Sequence, residues 1–205
     1  MTRARPLAAL LLLVIGAAVA AAAQDTLPIG FGTLRRDDIV LGFATDQLEL
    51  QILPLNQQVI RLLAPDTYRS LAQLIRSKDS LITDAARRAG LTATTLVLVT
   101  FFGKASGARF VPEDVTITSR GRQFRPLGFV PLSPTWNTQQ LDLRQQAVAI
   151  YLYEDGIGWY EDLTVGYQSF SNAGWGHSMR LLQQERSRVL ARAQSQPAAS
   201  VPPPR

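Results

Sequence analysis

The chain has 205 residues, 46% of them hydrophobic, and carries a formal charge of +5 at pH 7 with no cysteine and a single histidine. The absence of cysteine excludes a disulfide framework and a cysteine–histidine dyad, and one histidine leaves almost no route to a zinc site. The charge is mild, whereas nucleic-acid binding needs basic side chains clustered on one face, so we expect no nucleic-acid partner.

Residues 1–23 have the three parts of a secretory signal peptide. Arg3 and Arg5 form a positive start, residues 7–15 form an apolar core, and small residues up to Ala23 offer cleavage sites. The alternative is an uncleaved anchor, because the apolar run approaches the shortest length that spans a bilayer. With cleavage we expect a periplasmic or secreted protein that has a charge of +3 and no membrane span.

The remaining chain suits a single domain followed by a tail. Residues 24–193 are enough to bury a sizeable core, which must hold the fold without disulfides. Residues 194–205 contain four prolines and no apolar periodicity, so we predict a disordered tail there.

The domain begins with three short segments that are rich in β-forming residues, at 38–43, 47–53 and 58–63. In the second segment, apolar residues at every other position alternate with Gln and Glu, which predicts a strand with one buried face. Turn-like breaks separate the segments, so we interpret all three as strands.

A helical insertion follows at about residues 65–90. Pro65 and Asp66 suit a first helical turn, and Gly90 is placed to end the helix. Apolar residues recur at steps of three and four, and the polar stretch 77–80 is a place where the helix could divide in two. The apolar stripe could form a partner-binding groove, but we expect it to pack on the sheet.

The segment 94–102 is the strongest predicted strand, and it is apolar on both faces and therefore central. Gly103 and Lys104 follow it, where a phosphate-binding loop would lie. Such a loop needs a glycine five residues before its Gly-Lys pair and a serine or threonine directly after it. Leu98 and Ala105 hold those positions, so the motif fails and we predict an ordinary turn.

Residues 113–129 predict a hairpin whose tip carries the chain's most suggestive surface. Arg120, Arg122 and Arg125 lie around Phe124, and arginines beside an aromatic ring can bind carboxylates, phosphates or sugar acids. The alternative is a soluble hairpin tip whose charges prevent edge pairing. Prolines after the hairpin place the continuation at a sheet edge or outside the sheet.

A second strong strand is predicted at 147–153, with 162–168 as its neighbour in the sheet. The connection between them is rich in glycine and contains four acids: Glu154, Asp155, Glu161 and Asp162. Loop carboxylates can bind Ca²⁺, but this spacing matches no calcium-loop pattern, so we predict no metal site and no cofactor.

The last element is a helix over about 175–193, and His177 lies where it begins. A serine–histidine–aspartate triad would have to use this histidine, and no nucleophile elbow accompanies it. We therefore interpret His177 as a residue of the helix terminus and predict that the protein is not an enzyme.

Together these elements predict a mainly β fold, an immunoglobulin-like antiparallel β-sandwich with a helical insertion and a C-terminal helix. The alternative is an α+β sheet with one face covered by helix. Neither architecture specifies a function.

Three hypotheses about function remain from the sequence. The first is a non-enzymatic exported module of the cell envelope, with a binding or structural role, that binds another protein or an envelope component through a sheet edge, the hairpin or the helix. The second is a small-ligand or glycan-binding sandwich that stacks its ligand on Trp136, Trp159, Tyr160 and Trp175. The third and weakest is a hydrolase that uses carboxylates alone, with Glu113 and Asp114 among the candidates.

Overall fold

The computed structural model describes residues 27–195. The predicted signal peptide and residues 196–205 of the predicted tail lie outside this range. Within it the chain is mainly β and antiparallel, with a helical insertion and a C-terminal helix, as predicted. No helix in this range is long and apolar enough to cross a membrane.

Eleven strands are found among the described residues. In chain order they are β1 (Leu41–Ala44), β2 (Leu48–Pro54), β3 (Thr94–Gly103), β4 (Ala108–Arg109), β5 (Val115–Ser119), β6 (Arg122–Phe124), β7 (Gly128–Pro131), β8 (Gln140–Leu141), β9 (Gln146–Glu154), β10 (Leu163–Tyr167) and β11 (Phe170–Asn172). The α-helices are α1 (Gln57–Ile60), α2 (Pro65–Ser77), α3 (Asp79–Arg88) and α4 (Trp175–Ser195). Short 3-10 helices lie at Arg36–Asp38, Pro112–Asp114 and Pro134–Thr138.

The strands form a five-stranded sheet, a four-stranded sheet and a two-stranded ribbon. The five-stranded sheet has the order β1-β2-β3-β9-β7, and the four-stranded sheet has the order β11-β10-β5-β6. The ribbon pairs β4 with β8. β3 is central and buried on both faces, as its sequence predicted, and β7 lies at an edge, where its proline is tolerated.

The two large sheets pack face to face through aromatic side chains. The ring centroids of Phe101 on β3 and Tyr167 on β10 are 5.5 Å apart. Tyr153 on β9 donates its hydroxyl to the carbonyl oxygen of Val115 on β5, at 3.1 Å. Burial raises the pKa of Tyr153 above its ordinary value, which keeps this phenol a neutral donor.

The helical insertion covers the other face of the five-stranded sheet. α3 packs on β7 and β9, so its apolar stripe serves the core as predicted. The insertion divides at Lys78, within the predicted polar stretch, and Gly90 follows its end with a φ of +69°.

Two of the strand predictions are wrong. Residues 58–63 do not form a strand, because the Asn56 side chain accepts a hydrogen bond from the Gln58 backbone N–H at 2.8 Å and caps α1. The segment predicted at 162–168 forms β10, but it pairs with β5 and β11 in the other sheet and not with β9. The glycine-rich connection before β10 carries the chain from one sheet to the other.

The C-terminal helix was predicted correctly, but it buries an acid that periodicity could not predict. Glu185 on α4 is 1% exposed. Its Oε1 accepts hydrogen bonds from the backbone N–H and the hydroxyl of Thr33, at 3.0 and 2.9 Å, and from Nη1 of Arg192 at 2.8 Å. Arg192 also donates to the carbonyl oxygen of Phe31. These contacts fasten the N-terminal segment to α4.

Replacing Glu185 with alanine should lower the free energy of unfolding by about 2–3 kcal/mol, because the Thr33 N–H and hydroxyl lose their acceptor and Arg192 loses its counter-charge. Urea unfolding followed by circular dichroism measures this. Gln184→Ala on the exposed side of the same helix is the control and should stay within about 0.5 kcal/mol of the parent. Equal stability of Glu185→Ala and the parent would contradict the fastening role.

Candidate binding surfaces

The predicted hairpin is present and has a tight two-residue turn. β5 and β6 pair in register, and Arg120 and Gly121 between them have φ angles of +52° and +74°. Positive φ at both central residues is the backbone of a type I′ turn, which matches the twist of the flanking strands. The turn therefore fixes the direction in which Arg120 leaves the hairpin tip.

The structure brings the arginines of the hairpin together with the acids of the loop between β9 and β10. Arg120 forms two hydrogen bonds to the carboxylate of Glu161, and Arg122 forms one to Glu154. All four side chains are partly exposed, so these ion pairs add little stability. Their main consequence is that two clusters considered separately in the sequence neutralise each other.

Two glycines allow the acidic loop to lie against the hairpin. The backbone N–H of Gly158 donates to the hydroxyl of Ser119 at 3.1 Å. A Cβ at Gly158 would lie 3.1 Å from Oε2 of Glu161, so a larger residue would press on the ion pair. Gly156 has a φ of +119° and lies beside the Phe124 ring, where an L side chain is strained.

Phe124, Arg125 and Asp155, which belong to the same two clusters, take no part in these ion pairs. Phe124 is 4% exposed and belongs to the core, with the Arg122 guanidinium 4.8 Å from its ring centroid. Arg125 is exposed and has no hydrogen bond or ion pair with any residue from 27 to 195. Asp155 accepts from the Thr95 hydroxyl at 3.2 Å. Across the described part of the chain, no three metal-binding side chains come together.

The Arg120–Glu161 pair predicts a specific pH dependence. Hydrogen bonds from Arg120 lower the pKa of the Glu161 carboxyl below its ordinary value. Because this pKa is lower in the folded state than in the unfolded state, the pair contributes its stability above the ordinary glutamate range. That contribution disappears as the pH falls through the folded-state pKa.

Carbon-detected NMR titration of the Glu161 carboxylate should therefore give a midpoint below that of an unperturbed glutamate. The midpoint should rise in Arg120→Ala and stay unchanged in Arg122→Ala, whose arginine bonds to a different acid. An unperturbed midpoint in the parent protein would contradict the pair.

The turn after β3 binds a carboxylate, and this carboxylate is the side chain of Asp142 in the same chain. The Ser106 hydroxyl and the Gly107 backbone N–H donate to Oδ1 of Asp142, at 2.8 and 3.2 Å. Gly107 has a φ of +72°, as expected of a turn glycine. The predicted failure of the phosphate motif and the observed turn therefore agree, and a side-chain carboxylate takes the hydrogen bonds.

Gly103 is the point at which the loop that carries Asp142 lies against β3. The Gly103 N–H donates to the carbonyl oxygen of Gln145 at 2.9 Å, and the Arg144 N–H donates to the carbonyl oxygen of Gly103 at 2.8 Å. A Cβ at Gly103 would lie 2.2 Å from the carbonyl oxygen of Asp142. Only glycine allows this approach of two backbones.

Gly103→Ala should destabilise the protein by about 1–3 kcal/mol, because the loop must move away from β3 to admit a methyl group. Gly128→Ala on β7 is the matched control, since its Cβ would make ordinary contacts at 3.7 Å and we expect a change below about 0.5 kcal/mol. Thermal and urea unfolding compare the two. A Gly103→Ala variant as stable as Gly128→Ala would show that the loop is not held at this point.

The aromatic residues proposed as stacking platforms do not form an exposed row. Trp136, Trp159 and Trp175 are all buried, and Trp175 Nε1 donates to the carbonyl oxygen of Trp159 at 3.0 Å. Tyr160 is half-buried and donates its hydroxyl to the carbonyl oxygen of Gln58. His177 is exposed in the first turn of α4, where the sequence placed it.

A groove of about 440 Å³ lies between the helical insertion and the beginning of β3. Its apolar side chains are contributed by α2, by α3, by the connection after α3 and by β3: Ile75, Ile82, Ala86, Leu91 and Leu96. All but one of these side chains remain partly exposed. The predicted stripe thus packs on the sheet along one side and borders a groove along the other.

Neither a family model, nor a curated protein, nor a solved structure matches this chain.

Proposed function

We propose that this protein is an exported, non-enzymatic binding module of the cell envelope, and that its partner is a protein held in the groove beside α3. The observation that carries the proposal is the set of partly exposed apolar side chains along the groove, among them Ile75, Ala86 and Leu91. Apolar surface that stays in water in the isolated domain is favourable to cover with a partner.

The other two surfaces suggested by the sequence receive less support. The hairpin arginines Arg120 and Arg122 are engaged by acids of the same chain. The edge strands β6, β7 and β11 are three or four residues long, which offers little backbone for an added strand. At the β1 edge, the Asn172 amide already donates to the carbonyl oxygen of Gly42 at 2.8 Å.

Export is the second part of the proposal, and it depends on the predicted signal peptide. Its positive start, apolar core and small-residue end support a periplasmic or secreted protein. A fold without cysteine is compatible with either compartment, since its stability does not depend on the redox state.

A non-enzymatic role is supported by the surroundings of the carboxylates. Glu154 and Glu161, the best-placed loop acids, each bond to an arginine on the hairpin. Glu113 and Asp114 lie together in a short 3-10 helix and not on opposite sides of a cleft. A carboxylate hydrolase needs two acids that face one substrate, so it remains the weakest hypothesis.

We also propose that the two large sheets form an immunoglobulin-like sandwich. Two antiparallel sheets joined by a shared aromatic layer support it. The layer of α3 on the outer face of the larger sheet supports the α+β alternative equally well. The sandwich and the α+β description apply to the same arrangement of two sheets and a helical layer, and neither description determines the function.

The groove is tested by placing a charge in it. Ala86→Arg should reduce capture of an envelope partner by the exported protein at least about tenfold, because the long arginine side chain would fill the groove between the apolar side chains and add a second charge beside Arg87. Quantitative mass spectrometry of partners cross-linked in the producing cells measures this.

Two control variants separate the groove from the rest of the surface. Leu143→Arg adds the same charge at an exposed apolar residue elsewhere and should retain the partner. The triple variant Arg120→Ala, Arg122→Ala, Arg125→Ala should also retain it. The groove assignment would be overturned if the triple variant lost the partner and Ala86→Arg kept it. That result would place the binding site at the hairpin.

A further inference from the structure

A second cavity, of about 440 Å³, lies beside the turn that binds Asp142. Its lining comes from the 3-10 helix after β7, from β8 and from the loop after β8: Pro134, Thr135, Thr138, Gln140, Asp142 and Gln145. Five of the six lining residues are exposed, so the cavity is an open depression of the surface. The cavity shares no residue with the groove beside α3.

Three of the polar side chains in this cavity are fixed by hydrogen bonds within the protein. Asp142 Oδ1 is bonded by Ser106 and Gly107, as described above. Gln145 Oε1 accepts from the backbone N–H of Asp142 at 3.1 Å. Thr135 donates its hydroxyl to the carbonyl oxygen of Gln146. The side chains are therefore oriented before any ligand arrives, which lowers the entropic cost of binding.

The same residues keep polar atoms that nothing else uses. Among residues 27–195, no group hydrogen-bonds to Oδ2 of Asp142, to Nε2 of Gln145 or to the side-chain amide of Gln140. The Thr138 hydroxyl lies within hydrogen-bond distance of the carbonyl oxygens of Thr135 and Gln140, at 2.9 and 3.0 Å, and its lone pairs accept from no described residue. The cavity thus offers both donors and acceptors.

The backbone on either side of the cavity is held in a conformation that non-glycine residues rarely adopt. Gln139 has a φ of +49° and Arg144 a φ of +65°. Gln139 is the left-handed C-cap of the 3-10 helix at Pro134–Thr138, and the Arg144 N–H donates to the carbonyl oxygen of Gly103, so both conformations are fixed by the local fold. The two residues lie next to Gln140, whose side-chain amide is free, and Gln145, whose Nε2 is free.

The chemistry of the lining selects the class of ligand. Among residues 27–195, the lining contains one carboxylate, two carboxamides and two hydroxyls, and neither lysine nor arginine. An anionic ligand would meet the Asp142 carboxylate, and none of the described lining residues carries a positive charge. Groups that carry a donor and an acceptor side by side pair well with neighbouring hydroxyls, which also donate and accept. The ring of Pro134 adds an apolar surface.

We propose that this cavity binds a neutral sugar ring, with Gln140, Asp142 and Gln145 as the groups that bond to its hydroxyls. The site is independent of the groove beside α3. It gives glycan binding a location different from the tryptophans, which are buried in the core.

Amide NMR spectra of the protein produced from the full-length sequence, titrated with cellotriose, maltotriose and chitotriose, test the assignment. We expect at least one of these neutral trisaccharides to shift the amide signals of residues 134–145. Gln140→Ala should weaken that binding about tenfold, the loss expected for one well-placed hydrogen bond. Because no residue of the described chain bonds to the Gln140 side chain, this variant should fold normally.

Gln123→Ala on β6 is the matched control, since it removes an exposed glutamine outside the cavity and should leave binding unchanged. Glucose 6-phosphate should bind more weakly than glucose, because its charge would lie near Asp142. The proposal is overturned if none of the trisaccharides shifts residues 134–145. It is overturned equally if Gln140→Ala binds as well as Gln123→Ala, or if the phosphorylated sugar binds better than the neutral one.

Discussion

β3 and β9 pair antiparallel over nine residue positions, from Thr94 opposite Glu154 to Phe102 opposite Gln146, and both strands are buried on both faces along most of their length. Each large apolar side chain buried in this way contributes roughly 1.5–3 kcal/mol, but only if both faces of the pair are covered. One face is covered by the four-stranded sheet through its aromatic layer, and the other is covered by α3. The architecture follows from this double requirement. The helical insertion therefore covers one face of the sheet. The groove lies where the insertion leaves a gap beside the beginning of β3.

Two groups of charged and polar side chains are also paired within the molecule. The hairpin at the end of β5 carries arginines, the loop between β9 and β10 carries acids, and the fold places the two against each other. The turn after β3 presents donors, and the loop after β8 supplies the carboxylate. In each case a motif that suggested an external ligand in the sequence has an internal partner. Several polar atoms around the cavity beside Asp142 have no such internal partner among the described residues, and that cavity carries the inference about a ligand.

Much of the local structure could be predicted from the sequence, because strand and helix periodicity depend on neighbours along the chain. The alternation at Leu48, Leu50 and Ile52, the division of the insertion at Lys78 and the tight hairpin turn are all local features, and all are found. The segment 58–63 was misassigned because four to six apolar residues fit a short helix as well as a strand, and the cap at Asn56 decides between them. The pairing of β10 with β5 was missed because partner choice depends on contacts far apart in sequence.

The candidate binding surfaces could not be predicted from local sequence patterns, because their residues come from segments far apart in the chain. Arg120, Arg122, Glu154 and Glu161 were each recognised, but no sequence spacing indicates that they meet. No sequence motif includes Gln140, Asp142 or Gln145. Single polar residues of this kind are common in any solvent-exposed connection. The one available signal was the pair of glycines at 103 and 107, which mark a close approach of something to the end of β3.

The fastening of Thr33 to Glu185 has a consequence for the order in which the domain folds. The two residues are 152 positions apart, and the segment before Leu34 also lies so close to Leu62 that a Cβ on Gly32 would collide with that residue's backbone. The first described stretch of the chain therefore acquires its acceptor only after the last helix has been synthesised. Until that moment the N-terminal end lacks this attachment and the domain is unfinished.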